Sequence, residues 1–400
     1  MGALGAAAAE LVAAFPDPWL RAFSLKANDV PAIVARLGAL GLGANVVSRG
    51  EWAVARAAGI PNARVTLEGI GKSEADLRAA VRAAADGEAL RWVAVESPEE
   101  LDALAALAAR AGLGTAGSPP LDVLLRLNPD VQPETHHGLA VGRGSAKFGM
   151  TETELTTAVA RLPEDGPIRA RGVHLHVGSQ LGAVDAWRDA VRRGLAVLAI
   201  VRTGRPAFDT FDAGGGFPVG DSGTVPTPAR FGAEARALLD AVPAERRPSR
   251  LAVEPGRFLV AAAGWIVASV LHVRERGDAE RVVVIDAGMT ELIRPALYGA
   301  THPIRALTSL GRSVEHGDAA RSPATPARVD GPICESTDTL GRYDLPPLAR
   351  GDLVAIAETG AYAASMSSAY NGRPAAPQIL LEPDGTLVVG RRSGRVRFER

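Results

Sequence analysis

Residues 22–47 read AFSLKANDVPAIVARLGALGLGANVV, and this stretch holds a strand, a helix and a second strand in order. AFSL and ANVV are short apolar runs of the kind that form buried strands. The segment VPAIVARLGAL between them has apolar residues at helical spacing. A helix placed between two such strands predicts that the strands run parallel and are joined by a crossover helix.

The same alternation of strand and helix recurs as far as residue 254. The strand-like runs are AFSL (22–25), ANVV (44–47), RVTL (64–67), WVAV (92–95), VLLRL (123–127), GVHLHV (172–177), FDTFDA (208–213) and LAVE (251–254). Eight strand–helix units over about 250 residues is the count of a (β/α)8 barrel. A doubly wound parallel sheet gives the same local pattern and is the alternative architecture.

The pattern changes after about residue 262, where strand-like segments follow one another with little helix between them. They are GWIVASVLHVRE (264–275), RVVVIDAG (281–288), ARVDGPI (327–333), DLVAIAET (352–359), QILLEPDG (378–385) and TLVVGRR (386–392). Short strands joined by Gly, Pro and Asp turns are typical of antiparallel sheets. The predicted fold class is therefore α/β, with a TIM-like barrel over 1–262 followed by a mostly antiparallel β domain over 263–400.

Composition excludes several classes of protein. The 400 residues are 47% hydrophobic and 22% charged, as in a globular protein, and the formal net charge of −1 favours neither nucleic acid nor an anionic membrane as a partner. One cysteine rules out an internal disulfide and fits a reducing compartment, so we expect a cytoplasmic location. The alanine-rich start (2–15) contains Glu10 and lacks a basic region before it, which predicts a surface helix rather than a signal peptide.

Lys26 stands directly after the first strand run, where a buried and unpaired ammonium would be costly. Taken alone, it is best interpreted as a lysine that points into water. Polar residues and glycines follow other strand runs as well, and barrel enzymes place their chemistry at the carboxyl ends of the strands. These residues are Lys26, Ser48, Arg126, His176, Ser179, Gly214, Gly215, Gly216, Glu254 and Arg257. Each has a structural explanation by itself, but their shared position predicts a functional site.

These residue types suit one cofactor. Consecutive glycines let backbone N–H groups approach a phosphate, and a serine and an arginine add further donors. A lysine amine can attack an aldehyde, an imidazole can lie against an aromatic ring, and a carboxylate can keep a pyridine nitrogen protonated. Together they describe a site for pyridoxal 5′-phosphate, and we expect no metal ion.

A series of stretches, in order along the chain, resembles the motifs of one family. They are FSLKAN (23–28), VSRGE (47–51), SAKFGM (145–150), GVHLHVGSQL (172–181), FDAGGGFP (211–218), EPGR (254–257), DAGMTELIRPALYGATHPI (286–304), GPICESTD (331–338) and GAYAASMSSAYNGRP (360–374). By these motifs the chain resembles the fold-type III pyridoxal-phosphate decarboxylases, which have an alanine racemase-like barrel. This group contains the diaminopimelate, ornithine and arginine decarboxylases, and the chain is most similar to the diaminopimelate branch.

The resemblance implies a role for each matching residue. Lys26 would bind the cofactor covalently, His176 would stack on its ring, and Glu254 would pair with its pyridine nitrogen. The phosphate would be held by Ser179, Gly214, Gly215, Gly216, Arg257 and Tyr362, with Arg126 as a further cofactor-binding residue. The far end of the substrate would contact Arg294, Tyr298 and Glu335, and Arg257 is a second candidate for substrate binding. Cys334 would donate a proton to Cα after CO2 leaves.

The expected activity follows from these residues. A carboxylate at position 254 favours a strong electron sink and hence decarboxylation, whereas the related alanine racemases place an arginine there. Arg294 suits bidentate recognition of a carboxylate, which favours diaminopimelate, converted to L-lysine, over ornithine. The carboxylates of Glu335 and Asp338 would keep the Cys334 thiol protonated, as an acid requires. The family also implies a head-to-tail homodimer in which the CES segment enters the partner's site.

Two departures from the family pattern leave alternatives open. The stretch after the third strand reads LEGIGKSE in place of the usual Gly-Asn-Asn-Lys pattern, and Asn45 stands where many relatives have aspartate. These differences fit a relative that acts on a modified or carrier-tethered amino acid in siderophore or antibiotic synthesis, with a carrier protein as partner. A catalytically dead binding homologue would have lost Lys26 or Cys334. A cofactor-free lysine aldolase would not need Glu254 or the second domain.

Overall fold

The computed structural model describes residues 1–135, 140–142, 144, 146–220, 224–276, 280–315, 320–321 and 323–394. Ser145, the first residue of the SAKFGM motif, lies outside the described residues. The chain divides into two compact units, one of Gly5–Leu259 and one of Val260–Arg400 together with Met1–Leu4. The first unit, the barrel unit, contains a closed sheet, and the second, the C-terminal unit, contains an open sheet and a small two-stranded sheet.

Eight parallel strands form a closed barrel in sequence order. They are β1 (Trp19–Ser24), β2 (Gly43–Val46), β3 (Val65–Leu67), β4 (Trp92–Val95), β5 (Leu121–Arg126), β6 (Ile168–His174), β7 (Thr210–Asp212) and β8 (Arg250–Val253). Closure comes from β1 pairing with β8, in the register that sets Trp19 beside Leu251 and Arg21 beside Val253. The barrel prediction is confirmed, and the doubly wound alternative is excluded because an open sheet would leave β1 and β8 apart.

Helices alternate with these strands along the chain. They are α1 (Gly2–Ala14), α2 (Pro31–Ala39), α3 (Arg49–Ala57), α4 (Glu74–Ala85), α5 (Pro98–Arg110), α6 (Glu152–Arg161), α7 (Asp185–Gly204), α8 (Pro228–Ala241) and the short α9 (Arg257–Val260). Several begin at a hydroxyl side chain that accepts a hydrogen bond from the N–H three residues later; these are Ser48, Ser73, Ser97 and Thr151. Such caps satisfy N–H groups that the helix itself leaves unpaired, so they fix where each helix begins.

The first helix is more than the predicted surface helix. Leu11 and Ala14 on α1 are buried, and so is Phe15, which follows it. The Phe15 ring lies 5.1 Å from the ring of Trp19 and 5.5 Å from that of Phe217, between centroids. The helix therefore anchors an aromatic cluster of the barrel unit through its last turn.

The C-terminal unit is built on a six-stranded sheet in the order β11-β14-β9-β10-β12-β13. Its strands are β9 (Ile266–Arg276), β10 (Glu280–Ile285), β11 (Ile304–Leu307), β12 (Thr325–Asp330), β13 (Thr339–Leu345) and β14 (Leu353–Ile356), with α10 at Arg294–Tyr298. A hairpin of β15 (Gln378–Leu381) and β16 (Leu387–Arg391) forms the smaller sheet. Only β10 and β12 pair in parallel within the larger sheet, so the expected mostly antiparallel domain is confirmed.

Two strands of this sheet, β11 and β13, are absent from the sequence prediction. The first has four residues, and the second, TLGRYDL, contains Gly341 at φ +118° and few apolar residues. Both gain their place by pairing with longer apolar strands, which a local pattern does not reveal. No helix in the described part of the chain is long and apolar enough to cross a membrane.

Gly172 in β6 lies in close contact with the neighbouring strand β7, so a substitution at this residue tests the packing of the barrel. A Cβ atom at this position would lie 1.7 Å from the Thr210 carbonyl oxygen of β7, so Gly172→Ala forces two paired strands apart. We expect a loss of about 2–3 kcal/mol in the free energy of unfolding, measured with urea. Gly204→Ala at the end of α7, where a Cβ meets nothing within 4 Å, is the matched control and should change stability by less than about 1 kcal/mol. Equal effects from both variants would contradict the close approach.

Candidate active site

Lys26 lies on a short 3-10 turn, Leu25–Ala27, that directly follows β1. The predicted strand run therefore ends one residue early, and the lysine is half-buried between Leu25 and Ala27, which are fully buried. The backbone N–H of Ser24 donates to the carbonyl of Pro255 at 3.0 Å, so the EPGR segment is fixed against this turn. A Cβ atom on Gly256 would lie 3.2 Å from the Cβ atoms of both Ser24 and Ala27, which leaves only glycine an easy fit.

The triglycine turn joins the ends of neighbouring strands. Gly214 has φ +66°, and a Cβ atom there would lie 2.2 Å from the carbonyl oxygen of Leu175. A Cβ atom on Gly215 would lie 2.2 Å from the carbonyl oxygen of Glu254, and its N–H donates to His176 Nδ1 at 3.1 Å. Glycine is required here because backbone from β6 and β8 approaches the turn on both sides.

Ser179 and Arg257 contribute a hydroxyl and a guanidinium to the same end of the barrel. Arg257 Nη2 lies 3.1 Å from Ser179 Oγ, to which it donates a hydrogen bond. A Cβ atom on Gly216 would lie 2.6 Å from the carbonyl oxygen of Gly178, so the glycine turn and the serine are adjacent. A cation, a hydroxyl and side-chain-free backbone fit an oxyanion such as a phosphate.

His176 is a neutral imidazole in this setting. Burial lowers its pKa well below 6.5, and the nearby positive charges of Lys26 and Arg126 lower it further. The Nδ1 atom accepts a hydrogen bond from Gly215, so this nitrogen does not carry the proton. An uncharged ring beside a lysine suits stacking on another aromatic ring.

Glu254 is a buried carboxylate with an amide as one partner, and its side chain is 4% exposed. Asn45 Nδ2 donates to Glu254 Oε1 at 2.6 Å. The amide of Asn45 is itself oriented by two hydroxyls, since Ser24 Oγ donates to its Oδ1 at 3.2 Å and Thr66 Oγ1 accepts from its Nδ2 at 3.3 Å. The Asn45 amide is thus held in one orientation, with its N–H toward Glu254.

Glu68, Asp212 and Glu254, here named the carboxylate cluster, are buried together around His174. His174 Nε2 lies 3.2 Å from Glu68 Oε2 and 3.5 Å from Glu254 Oε2. Burial, with the charge of Glu254, raises the pKa of Glu68 to about 8 and that of Asp212 well above its usual range. Burial lowers the pKa of His174 to about 4, so the imidazole is neutral near pH 7. Glu68, His174 and Asp212 are site residues that the sequence prediction missed.

Arg126 and Ser48 have structural partners in this unit. Arg126 forms a buried ion pair with Glu96 and lies over the Phe148 ring, with its guanidinium carbon 4.8 Å from the centroid. Glu96 Oε2 also accepts from the Gly149 N–H at 3.0 Å, which ties the SAKFGM segment to β4 and β5. Ser48 caps α3. A cofactor contact for Arg126 stays a prediction.

In the C-terminal unit, Arg294 is buried among aromatic rings. Its guanidinium carbon lies 5.3 Å from the Tyr298 ring centroid and 5.7 Å from that of Tyr362. Its Nε atom is buried and has no hydrogen-bond partner among the described residues. Burial lowers the pKa of this guanidinium, although the two tyrosines oppose the shift. The residues predicted to bind the far end of the substrate, Arg294 and Tyr298, are thus in contact.

The single cysteine lies on an exposed loop of this unit. The Asp338 carboxylate shapes the loop, since it accepts from the N–H groups of Met289 at 2.6 Å and Ile333 at 2.7 Å. Glu335 Oε1 accepts from the Tyr370 hydroxyl at 2.7 Å, and the Cys334 N–H donates to Asn371 Oδ1 at 3.2 Å. Asp338 is therefore engaged with backbone, and an effect of its charge on the thiol stays a prediction.

The barrel residues fit pyridoxal phosphate, because amine, neutral imidazole, anion cradle and buried carboxylate all lie at the carboxyl ends of the strands of one unit. This combination defines the class of pyridoxal-phosphate enzymes built on a barrel. The Gly215 contacts with both His176 and Glu254 are the structural reason that the site is compact.

Comparison with known proteins gives the family. The profile of the family described as "Pyridoxal-dependent decarboxylase, pyridoxal binding domain" matches residues 2–261. Diaminopimelate decarboxylase from Zymomonas mobilis is 33% identical over 374 residues, which cover 93% of this chain and 83% of the relative. That from Pseudomonas aeruginosa is 35% identical over 377 residues, 94% and 84% of the two chains. The crystal structure of the Helicobacter pylori enzyme complexed with L-lysine has a TM-score of 0.87 at 29% identity, and covers 98% of this chain and 92% of that one.

This chain belongs to the pyridoxal-dependent decarboxylase family. The resemblance predicted from its motifs is confirmed, and so is the expected cofactor.

The carboxylate cluster makes stability depend on pH. The pKa of Glu68 rises from 4.5 to about 8 on folding, so between these values the folded protein keeps a proton that the unfolded chain has released. The contribution of Glu68 therefore falls as pH rises through this window, by up to about 1.4 kcal/mol per pH unit, and is level above it. His174 acts in the opposite sense between about pH 4 and 6.5, so the effect of Glu68 is clearest from pH 6.5 to 8.

Glu68→Gln removes this ionisation. The free energy of unfolding of the variant, relative to wild type, should therefore increase from pH 6.5 to 8 in urea titrations of the cofactor-free protein. Asp209→Asn, just before β7 at the opposite end of the barrel, is the control and should keep the wild-type pH dependence. A Glu68→Gln variant that follows the wild-type curve throughout would show that Glu68 is ionised already at neutral pH.

Proposed function

We propose that this protein is a pyridoxal-phosphate-dependent carboxy-lyase that removes CO2 from an amino acid with a second, distal carboxylate. Conversion of meso-diaminopimelate to L-lysine is the reaction we assign. Support comes from relatives named diaminopimelate decarboxylase over more than nine-tenths of the chain. A structural neighbour bound to L-lysine, the product expected of this reaction, gives further support.

The barrel residues divide the work of holding the cofactor. When bound, pyridoxal phosphate supplies the electron sink that stabilises charge left at Cα after CO2 departs. The amine of Lys26 would hold its aldehyde, and the Glu254 carboxylate would keep a proton on its ring nitrogen. Neutral His176 would lie against the ring. Ser179, Arg257 and the triglycine turn would bind the phosphate through the donors already described.

Arg294 is the observation that carries the choice of substrate. Among the described residues no carboxylate lies within 4.0 Å of its buried guanidinium, whose contacts are the rings of Tyr298 and Tyr362. A buried cation without a counter-ion is costly, and a substrate carboxylate would supply one with bidentate hydrogen bonds. The far end of ornithine is an ammonium group, which this cation would repel.

Cys334 and Glu335 complete the proposed site. The thiol of Cys334, exposed on its loop, would return a proton to Cα, and the Glu335 carboxylate would bind the distal amine of the substrate. In the homodimer that we propose, this loop serves the site of the partner subunit, and the C-terminal unit (263–400) contributes to both the dimer and the site. We also propose a cytoplasmic location; a carrier-tethered substrate is the alternative.

Arg294→Gln tests the proposed substrate. The variant loses a charged pair of hydrogen bonds to the distal carboxylate, so kcat/KM for meso-diaminopimelate should fall by about 100-fold or more, measured as CO2 release. Arg305→Gln on β11, an exposed arginine of the same unit, is the control and should stay within about twofold. The substrate panel also contains ornithine, lysine and a carrier-tethered diamino acid.

The outcomes test the proposed substrate and the proposed cofactor attachment separately. Activity on ornithine but not on meso-diaminopimelate would refute the role of Arg294, and activity on the tethered substrate alone would establish the alternative. Borohydride reduction followed by peptide mapping should place a phosphopyridoxyl group on Lys26. A map without that adduct would overturn the proposed attachment to Lys26, whatever the panel shows.

Mixing two inactive variants tests the shared site. If Lys26 and Cys334 in one site come from different subunits, a heterodimer of Lys26→Ala and Cys334→Ala has one intact site and one doubly altered site. After subunit exchange of equal amounts, about a quarter of the wild-type activity should return, because half of the dimers are heterodimers with one intact site each. Activity that stays at the level of the separate variants would mean that both residues come from one subunit.

A further inference from the structure

The carboxylate cluster contains three acidic side chains, and the proposed chemistry requires only one of them, Glu254. Glu68 follows β3 directly, and its N–H donates to the Val46 carbonyl at 2.9 Å, which fixes its backbone beside β2. Its side chain is 6% exposed and that of Glu254 is 4% exposed. One oxygen of each carboxylate and one ring nitrogen of His174 all lie within 4.8 Å of one another. Only Glu254 has a proposed role toward the cofactor, which leaves Glu68 to be explained.

Two buried carboxylates in contact cannot both be ionised, because like charges repel strongly where water is excluded. A carboxylate oxygen of Glu68 lies within 4.8 Å of one of Glu254 in a buried site, and so close an arrangement is favourable only when one of them carries a proton. Asn45 indicates which one. Its amide N–H points at Glu254 Oε1 from 2.6 Å, which stabilises the anion there. Glu68 Oε1, by contrast, has no hydrogen-bond partner among the described residues.

Among the described residues, the only ion-pair contact of the Glu68 carboxylate is with His174. His174, which touches both glutamates, is neutral because burial lowers its pKa to about 4. Arg126 is paired with Glu96. The titratable and charged groups that act on this cluster from the neighbouring strand ends are Lys26, Glu96, Arg126, His174, Asp212 and Glu254. Asp212 accepts from the Gly214 N–H at 2.9 Å and is therefore bonded to the glycine turn.

We propose that Glu68 is a positioning residue that stays protonated at neutral pH and donates a hydrogen bond to Glu254, holding Glu254 as the anion that faces the cofactor. This inference rests on the proposed function, in which Glu254 pairs with the ring nitrogen. Asn45 and Glu68 then act as a pair of neutral donors that orient one anion. The raised pKa of Glu68, about 8, agrees with this assignment.

The assignment predicts an alkaline transition. When Glu68 ionises, Glu254 loses a hydrogen-bond donor and gains an anionic neighbour. The interaction of Glu254 with the ring nitrogen of the cofactor therefore changes. The absorbance of the bound cofactor and kcat/KM should therefore change together in the alkaline range. Glu68→Gln keeps an N–H donor but cannot ionise, so its kcat/KM at pH 7 should stay within about threefold of wild type without that transition. Glu68→Ala, which removes the donor, should lose about tenfold or more.

Infrared spectroscopy of the cofactor-free protein tests the proton directly. Wild type at pH 6.5 should show carbonyl absorption from protonated carboxyl groups. One component should disappear on alkaline titration and be missing at every pH from Glu68→Gln. Asp209→Asn, the control outside the cluster, should retain it. A component that remains in Glu68→Gln belongs to another acid, such as Asp212; if nothing is lost in this variant, Glu68 is ionised and the inference is overturned.

The two measurements keep this inference separate from the proposed function. A lost infrared component without any borohydride adduct on Lys26 would uphold the protonated Glu68 and reject the cofactor role of the site. An adduct on Lys26 together with unchanged infrared spectra would uphold the cofactor role of the site and reject the protonated Glu68. If kcat/KM of Glu68→Gln falls as far as that of Glu68→Ala, a donor role for Glu68 is also contradicted, because the amide supplies the same hydrogen bond. Adding Asn45→Asp to Glu68→Gln returns an acid to the cluster from β2, and should restore a pH transition.

Discussion

The pairing of β1 with β8 is the constraint on which the site depends. It closes the barrel and sets the two ends of the barrel sequence side by side, so that Ser24 bonds to Pro255 and the turn carrying Lys26 lies against the EPGR segment. An open sheet of the same strands would place the lysine and Glu254 at opposite edges. The glycine turn after β7 then has backbone on both sides, which is why its residues have no side chains. Closure, rather than any single motif, makes these distant residues neighbours.

Much of this arrangement follows from sequence. Strand–helix alternation and polar strand ends predict the barrel and locate Lys26, His176, the glycines and Glu254, since parallel strands share one carboxyl end. Side-chain direction near a strand end is harder to predict. The run GVHLHV does not show that β6 ends at His174, nor that this first histidine is the one that contacts Glu68 and Glu254. Glu68 carries the same signal as Lys26, a polar residue after a strand, but it lies in the LEGIGKSE stretch, which departs from the family pattern.

Contacts between distant segments set the remaining features. The rings that surround Arg294 come from α10 and from Tyr362, far along the chain, and no local spacing predicts that they meet. The strands β11 and β13 exist because longer partners pair with them. The orientation of the Asp338 carboxylate toward backbone is another example, because the sequence alone suggests an acid beside the cysteine.

Each unit buries one charged side chain without a full counter-ion, and that side chain is suited to bind a ligand group of the opposite charge. In the barrel unit, Glu254 has an amide and a neutral imidazole beside it, so a cationic ring nitrogen is a fitting partner. In the C-terminal unit, Arg294 has aromatic faces around it, which favour a cation only weakly compared with a carboxylate. Burial without a full counter-ion costs stability, and each ligand group would recover part of that cost on binding. A substrate whose far end carries an ammonium and no carboxylate gains nothing from Arg294, so this imbalance of charge is what would select an amino acid with a second carboxylate.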